Sequence, residues 1–148
     1  MIYTIGYEGA TLDAFLKALQ ENGVDHIVDV RLTPLSRRRG FSKRQLAAAL
    51  RRLGIIYSHH PELGCPKDVR VQYSRTGDFE WYTRAYVSKV LTRRAHFVSE
   101  LAEQSRHRRV CLLCFEADAN RCHRSLVAAM AAEANRNAFG FRHLAVAA

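Results

Sequence analysis

The stretch Arg109-Val-Cys-Leu-Leu-Cys-Phe-Glu116 constrains the fold more than any other part of the chain. A short, almost wholly apolar run that ends abruptly in a carboxylate reads as a buried strand. The polar residues Ala117 to Arg121 then read as a loop, and Leu126, Ala129 and Met130 set a helical spacing. The first turn of that helix is expected to carry Cys122, His123 and Arg124. In open α/β sheets, chemistry gathers beyond the carboxyl ends of the strands, where this loop would lie.

The rest of the chain repeats the alternation. Ile2 to Ile5 reads as a first strand, leading into Gly6-Tyr-Glu-Gly9. Thr11 caps a helix with Leu12, Phe15, Leu16 and Leu19 on one face, closed by Asn22-Gly23. His26 to Arg31 reads as a second strand, in which Asp29 and Arg31 share a face. Ser42 with Gln45 predicts a capping box for a helix through Leu46, Leu50 and Leu53, ended by Gly54. Ile55 to Tyr57 is a third strand, and an irregular basic stretch runs on to Gly77. Phe79, Tyr82, Tyr86, Val90, Phe97 and Leu101 predict one long amphipathic helix or two in succession. Phe141 to Val146 supplies a fifth strand.

Strands alternating with helices imply parallel pairing. The expected fold is a single α/β domain over residues 1–148. It has an open, mainly parallel, Rossmann-like sheet of about five strands with helices on both faces, in the guessed order 3-2-1-4-5. That order makes strands one and four neighbours. Their exits would bring together Tyr7, Glu8, Glu116 and Cys122, with Arg31 one strand away.

With 48% apolar and 25% charged residues, the chain has the composition of a folded soluble protein rather than a disordered one. No apolar run is long enough to cross a bilayer, and no signal-peptide pattern precedes Ile2. A cytoplasmic location is therefore expected, without a membrane partner. Cys111 and Cys114 make a C-x-x-C by spacing, but residues three apart on a strand face opposite ways and cannot close on one metal. The net charge of +9 fits a polyanionic partner, nucleic acid or nucleotide, and fits equally a merely arginine-rich composition. Between Arg37 and Arg52 the charges are Arg37, Arg38, Arg39, Lys43, Arg44, Arg51 and Arg52, all basic. Arg37, Arg38, Arg39, Lys43 and Arg44 are the candidate nucleic-acid surface, with Phe41 among them as a stacking group.

Candidate catalytic residues are Glu116, Cys122 and His123. A thiol at a helix start beside cations is a potential nucleophile, and a carboxylate in a dry setting suits acid–base work. The competing reading has Cys122 packed into the core, with Asp29 and Glu116 as fixed partners of Arg31 and Arg124. Arg31 and Arg124 are candidate phosphate forks, with Tyr7, Glu8 and His59 as further ligand-binding residues. The C-x5-R spacing of cysteine phosphatases is absent because position 128 is Ala, and G-x-G-x-x-G is absent from the first exit. No metal site is expected. Zinc would need several ligands among Cys65, Cys114, Cys122, His59, His60 and His123, but Cys122 and His123 should diverge on a helix, and no ordered zinc pattern accompanies them. Magnesium enters only in an alternative, a phosphoester hydrolase using Glu8, Asp29 and Glu116.

The same residues carry a likeness. Thr4-Ile-Gly-Tyr-Glu-Gly9, Val28-Asp-Val-Arg31, Ser36-Arg37 with Gly40-Phe-Ser-Lys43, Tyr57, His59 with Pro61-Glu-Leu-Gly64, Leu113-Cys-Phe-Glu116 and Cys122-His-Arg124 together resemble the domain of unknown function 488 family. The resemblance implies an α/β fold and a polar site built from these motifs, with Glu116, Cys122, His123 and Arg124 in it. It carries no reaction. Cys65 departs from the family pattern, where many members have a second Gly or an Asn. The leading expectation is a protein that binds or acts on a phosphate-bearing ligand. The alternatives are a non-catalytic nucleic-acid-binding module and the magnesium-dependent hydrolase.

Overall fold

Every residue of β4 (Val110–Cys114) is buried, and this strand forms the middle of a five-stranded parallel sheet. The computed structural model describes residues 1–147. Around β4 the chain supplies β1 (Ile2–Gly6), β2 (His26–Asp29), β3 (Ile56–His59) and β5 (Phe141–Leu144). The helices are α1 (Leu12–Glu21), α2 (Lys43–Arg52), α3 (Lys67–Thr76), α4 (Phe79–Tyr86), α5 (Ala95–Ser105) and α6 (His123–Ala134).

The strand order is β3-β2-β4-β1-β5, not the guessed 3-2-1-4-5. The most uniformly apolar strand takes the position buried on both faces, and β1, which carries Thr4, moves outward by one place. Alternation of strands and helices does not say which of two apolar strands is central. The outer strands β3 and β5 are largely solvent-accessible, as sheet edges tolerate. With β4 between β1 and β2, the exits of all three become immediate neighbours.

The alternation of side chains along each strand divides the core in two. Tyr3, Ile5, Ile27, Cys111 and Leu113 pack against Phe15 and Leu19 of α1 and Leu46 and Leu50 of α2. Ile2, Val28, Val110, Leu112 and Cys114 face Tyr82 and Tyr86 of α4, Leu101 of α5 and Val127 of α6. Cys111 and Cys114 therefore lie on opposite faces of the sheet.

Local chemistry sets the helix boundaries. Thr11 accepts the amide of Ala14 at 3.1 Å and starts α1. The capping box expected for α2 does not form: Ser42 bonds Ser36, and Gln45 accepts the amide of Gly40 at 3.3 Å. Both side chains serve the preceding arginine loop instead. The stretch read as irregular before Gly77 is helix α3, whose single buried residue, Val69, leaves almost no apolar period to detect. The long amphipathic region is α4, a π-helical turn at Val87–Leu91, and α5. Among the described residues no helix is long and apolar enough to cross a membrane.

Candidate functional site

The exits of β1, β2 and β4 surround a cavity of about 650 Å³. Tyr7 and Glu8 line it from β1, Arg31 from β2, and Cys114 and Glu116 from β4. His123 reaches it from the start of α6, Arg37 and Arg38 from the loop before α2, Cys65 from just before α3, Arg70 from α3 and Tyr82 from α4. Glu8 and Glu116, far apart in sequence, thus share one recess.

Backbone contact makes this convergence possible. A Cβ on Gly6 would stand 1.8 Å from the main-chain oxygen of Glu116, so only glycine admits the crossing of the two exits. Glu8 donates its N–H to Phe115 O at 2.8 Å, and its carboxylate accepts the N–H of Ala117 at 3.1 Å.

Arg31 forms the rigid part of the wall. Its Nε and Nη2 donate to the two carboxylate oxygens of Asp29 at 2.9 and 2.7 Å, and Nη1 donates to Tyr7 Oη and Phe41 O. Of five guanidinium N–H groups, only one on Nη2 is left for a ligand. Burial works against charge here, but the bonds to Asp29 and Tyr7 outweigh it and hold Arg31 protonated. Tyr57 also donates to Asp29. Burial first, and then this carboxylate, push the Tyr57 hydroxyl well above its usual value.

Cys114, Cys122 and His123 form a buried cluster on the α6 side of the sheet. Their ligand atoms all lie within 4.8 Å of one another. Cys122 sits at the N-cap with extended backbone (φ −138°, ψ 143°), and His123 is the first helical residue. The expected divergence on a helix therefore fails, because one of the two residues is not yet helical. His123 Nε2 bonds Val30 O at 2.8 Å and Nδ1 faces the sulfurs, 3.8 Å from Cys114 and 3.9 Å from Cys122. Glu116 Oε2 accepts from the Cys114 thiol at 3.2 Å. Burial opposes charge on Cys122, yet Cys114, His123 and Arg124 outweigh it and hold this thiol well below its ordinary value. Cys122 and burial push Cys114 up. Burial and then the Cys122 charge raise Glu116.

Other sequence-predicted residues sit differently. Arg124 is 0% exposed and does not line the cavity. It donates to Thr4 Oγ1, Glu116 O and Ala117 O, so its fork grips the loop after β4 rather than facing solvent. His59 is half-buried, bonds Arg31 O at 2.7 Å and is not on the cavity wall. Cys122, 1% exposed, packs with the core and is likewise off the wall. Arg37 and Arg38 face both this cavity and an adjoining groove, which Arg39 also lines. Lys43 and Arg44 are exposed on the first turn of α2. Phe41 is not a surface stacking group. It is fully buried and stacks on Tyr7 at 4.4 Å. Asp29 is also fully buried, and its carboxylate is taken by Arg31 and Tyr57, which removes it from the Glu8, Asp29 and Glu116 magnesium set.

Arg70, Tyr82 and Cys114 line the cavity without being marked as site residues by the sequence. Arg70 lies on α3, which has almost no apolar period, and Tyr82 reads only as part of the apolar face of its helix. Cys114 reads as half of a C-x-x-C whose two members face opposite ways. Its position as the last residue of an apolar strand, two before Glu116, was the signal that could have placed it at the site. Cys65 lines the cavity as well, with burial pushing its thiol up to about 11.

Comparison with curated proteins and with solved structures gives no match. The match to a family extends over residues 11–131, from the cap of α1 into the last turn of α6, and it takes in most of the cavity. On that extent the chain belongs to the family described as Domain of unknown function DUF488.

Proposed function

We propose that the cavity binds a phosphate-bearing ligand, a nucleotide or the end of a nucleic-acid strand. The observation that carries this reading is the gathering of Arg31, Arg37, Arg38 and Arg70 around one recess. Guanidinium groups recognise phosphate through paired N–H donors. Arg31 offers one spare N–H on a fixed frame. Arg37 and Arg70 are exposed and make no side-chain hydrogen bond among the described residues, so they are free to close on an anion. Glu8 and Glu116 add acceptors suited to sugar hydroxyls, which favours an ester of phosphate over the bare ion. Arg39, Lys43 and Arg44 continue the positive surface outward, where a longer strand would run.

The test is titration with a nucleoside 5′-monophosphate and with a 5′-phosphorylated oligonucleotide at stepped salt, beside the Arg70→Ala variant. The reading expects affinity that falls as salt rises, and falls again in Arg70→Ala. A tighter oligonucleotide than mononucleotide, with the difference lost on replacing Arg39, Lys43 and Arg44, assigns the outer surface to a polymer. Absence of binding by either ligand, or binding indifferent to salt and to Arg70→Ala, overturns the reading.

A further inference from the structure

The buried Cys114, Cys122 and His123 cluster has no part in phosphate recognition as described, and it has the composition of a metal centre. We infer that it binds a zinc ion through Cys114 Sγ, Cys122 Sγ and His123 Nδ1, with the fourth coordination position open to the cavity. The inference goes beyond the phosphate reading and stands without it.

Distances support it first. Tetrahedral zinc with ordinary bond lengths separates two sulfurs by about 3.8 Å and a sulfur from a nitrogen by about 3.6 Å. The observed sulfur-to-nitrogen separations are 3.8 and 3.9 Å, and no pair of ligand atoms exceeds 4.8 Å. The two sulfur-to-nitrogen pairs need close by only about 0.2–0.3 Å and the two sulfurs by at most about 1 Å to reach that geometry.

The histidine is oriented for ligation. A carbonyl only accepts, so the contact of Nε2 with Val30 O at 2.8 Å places the ring proton on Nε2. Nδ1 is then the nitrogen that faces the sulfurs and is left to ligate. Metal-bound histidines are held in this way, by a second partner on the far nitrogen. Two thiolates and a neutral imidazole around a divalent cation carry no net charge, which suits a site with all three residues buried. Both sulfurs bind as thiolates, so protons held by the cluster are released on binding.

Softness and number point to zinc. Two thiolates with one imidazole select zinc over magnesium or calcium, which prefer oxygen. Three protein ligands with an open fourth place are the pattern of a reactive rather than a closed structural centre. Cys114 and His123 both line the cavity, so a water or a ligand atom entering it reaches the fourth position. Glu116, 3.2 Å from Cys114, lines the same cavity.

The experiment is cobalt titration of the full chain, stripped of metal and kept reduced, followed by zinc displacement. One equivalent of cobalt is expected to give the visible bands of a tetrahedral ion and a near-ultraviolet sulfur-to-cobalt charge-transfer band, both erased by zinc. Cys114→Ser and Cys122→Ser should each diminish the charge-transfer band, whereas Cys111→Ala, on the opposite face of the sheet, should keep it. Arg70→Ala should also keep it, so a failed phosphate reading leaves this result intact. If the serine variants do not fold, X-ray absorption on the zinc-loaded wild-type protein decides. About two sulfurs near 2.3 Å with nitrogen or oxygen near 2.0 Å support the site. A shell without sulfur, or no stoichiometric cobalt binding, overturns it.

Discussion

The carboxylate of Glu8 accepts the main-chain N–H of Ala117 at 3.1 Å, joining the exit of β1 to the exit of β4 across most of the chain. This bond and the bare α-carbon of Gly6 together let two loops cross and form one wall. The shape of the cavity depends on that crossing, because Glu116 enters the cavity from it.

Gly6→Ala is therefore expected to damage both fold and site. The new methyl meets main-chain atoms of Glu116, which move only with the strand end. Overpacking of this kind costs about 1–3 kcal/mol. Denaturant unfolding should show the loss, and ligand affinity should fall in the fraction that remains folded. Unchanged stability would mean that the two exits do not cross as described.

Asp29 and Arg31 form a buried pair joined by two hydrogen bonds, at 2.9 and 2.7 Å. Removing either partner strands the other charge, so Asp29→Ala and Arg31→Ala should each cost about 3–5 kcal/mol. The double variant should cost less than the sum of the two, since neither charge is then left alone. Additive losses in a double-mutant cycle would contradict the pairing.

Arg124→Lys separates a structural role from a ligand role. The guanidinium holds Thr4, Glu116 O and Ala117 O, and an ammonium cannot reach all three. The expected loss is about 1.5–3 kcal/mol of stability, with the ligand affinity of the folded protein unchanged. A weaker ligand affinity at unchanged stability would return Arg124 to the phosphate site.

The layers were legible because β1, β2 and β4 are short apolar runs and α1 presents an uninterrupted apolar stripe. The guessed order failed at one step, since periodicity registers burial but not which strand is central. Arg31 was legible as a partner of Asp29 from the strand period alone. Arg124 was not, because a buried arginine that satisfies carbonyls has the same sequence signature as one that binds phosphate. Arg70 was hidden by a helix with one buried residue. The Cys114, Cys122 and His123 cluster was hidden by one residue's backbone, the extended conformation of Cys122 at the cap.

His26 makes stability depend on pH. It is buried, and that burial, with Arg108 and His60 as lesser causes, lowers its pKa from 6.5. The folded protein then binds fewer protons than the unfolded chain just below that value. Its contribution is complete above pH 6.5 and is lost as the pH falls through the lowered value. His26→Gln, which can retain a bond to Ser58, should flatten this part of the profile. An identical profile in the variant would assign the dependence elsewhere.

Phosphate recognition by the cavity is tested by competition between a nucleoside 5′-monophosphate and the same nucleoside without its phosphate. The account predicts that inorganic phosphate and the monophosphate compete for one site, and that the free nucleoside binds far more weakly. Equal binding of nucleoside and nucleotide, with no displacement by phosphate, would contradict an arginine-lined phosphate site.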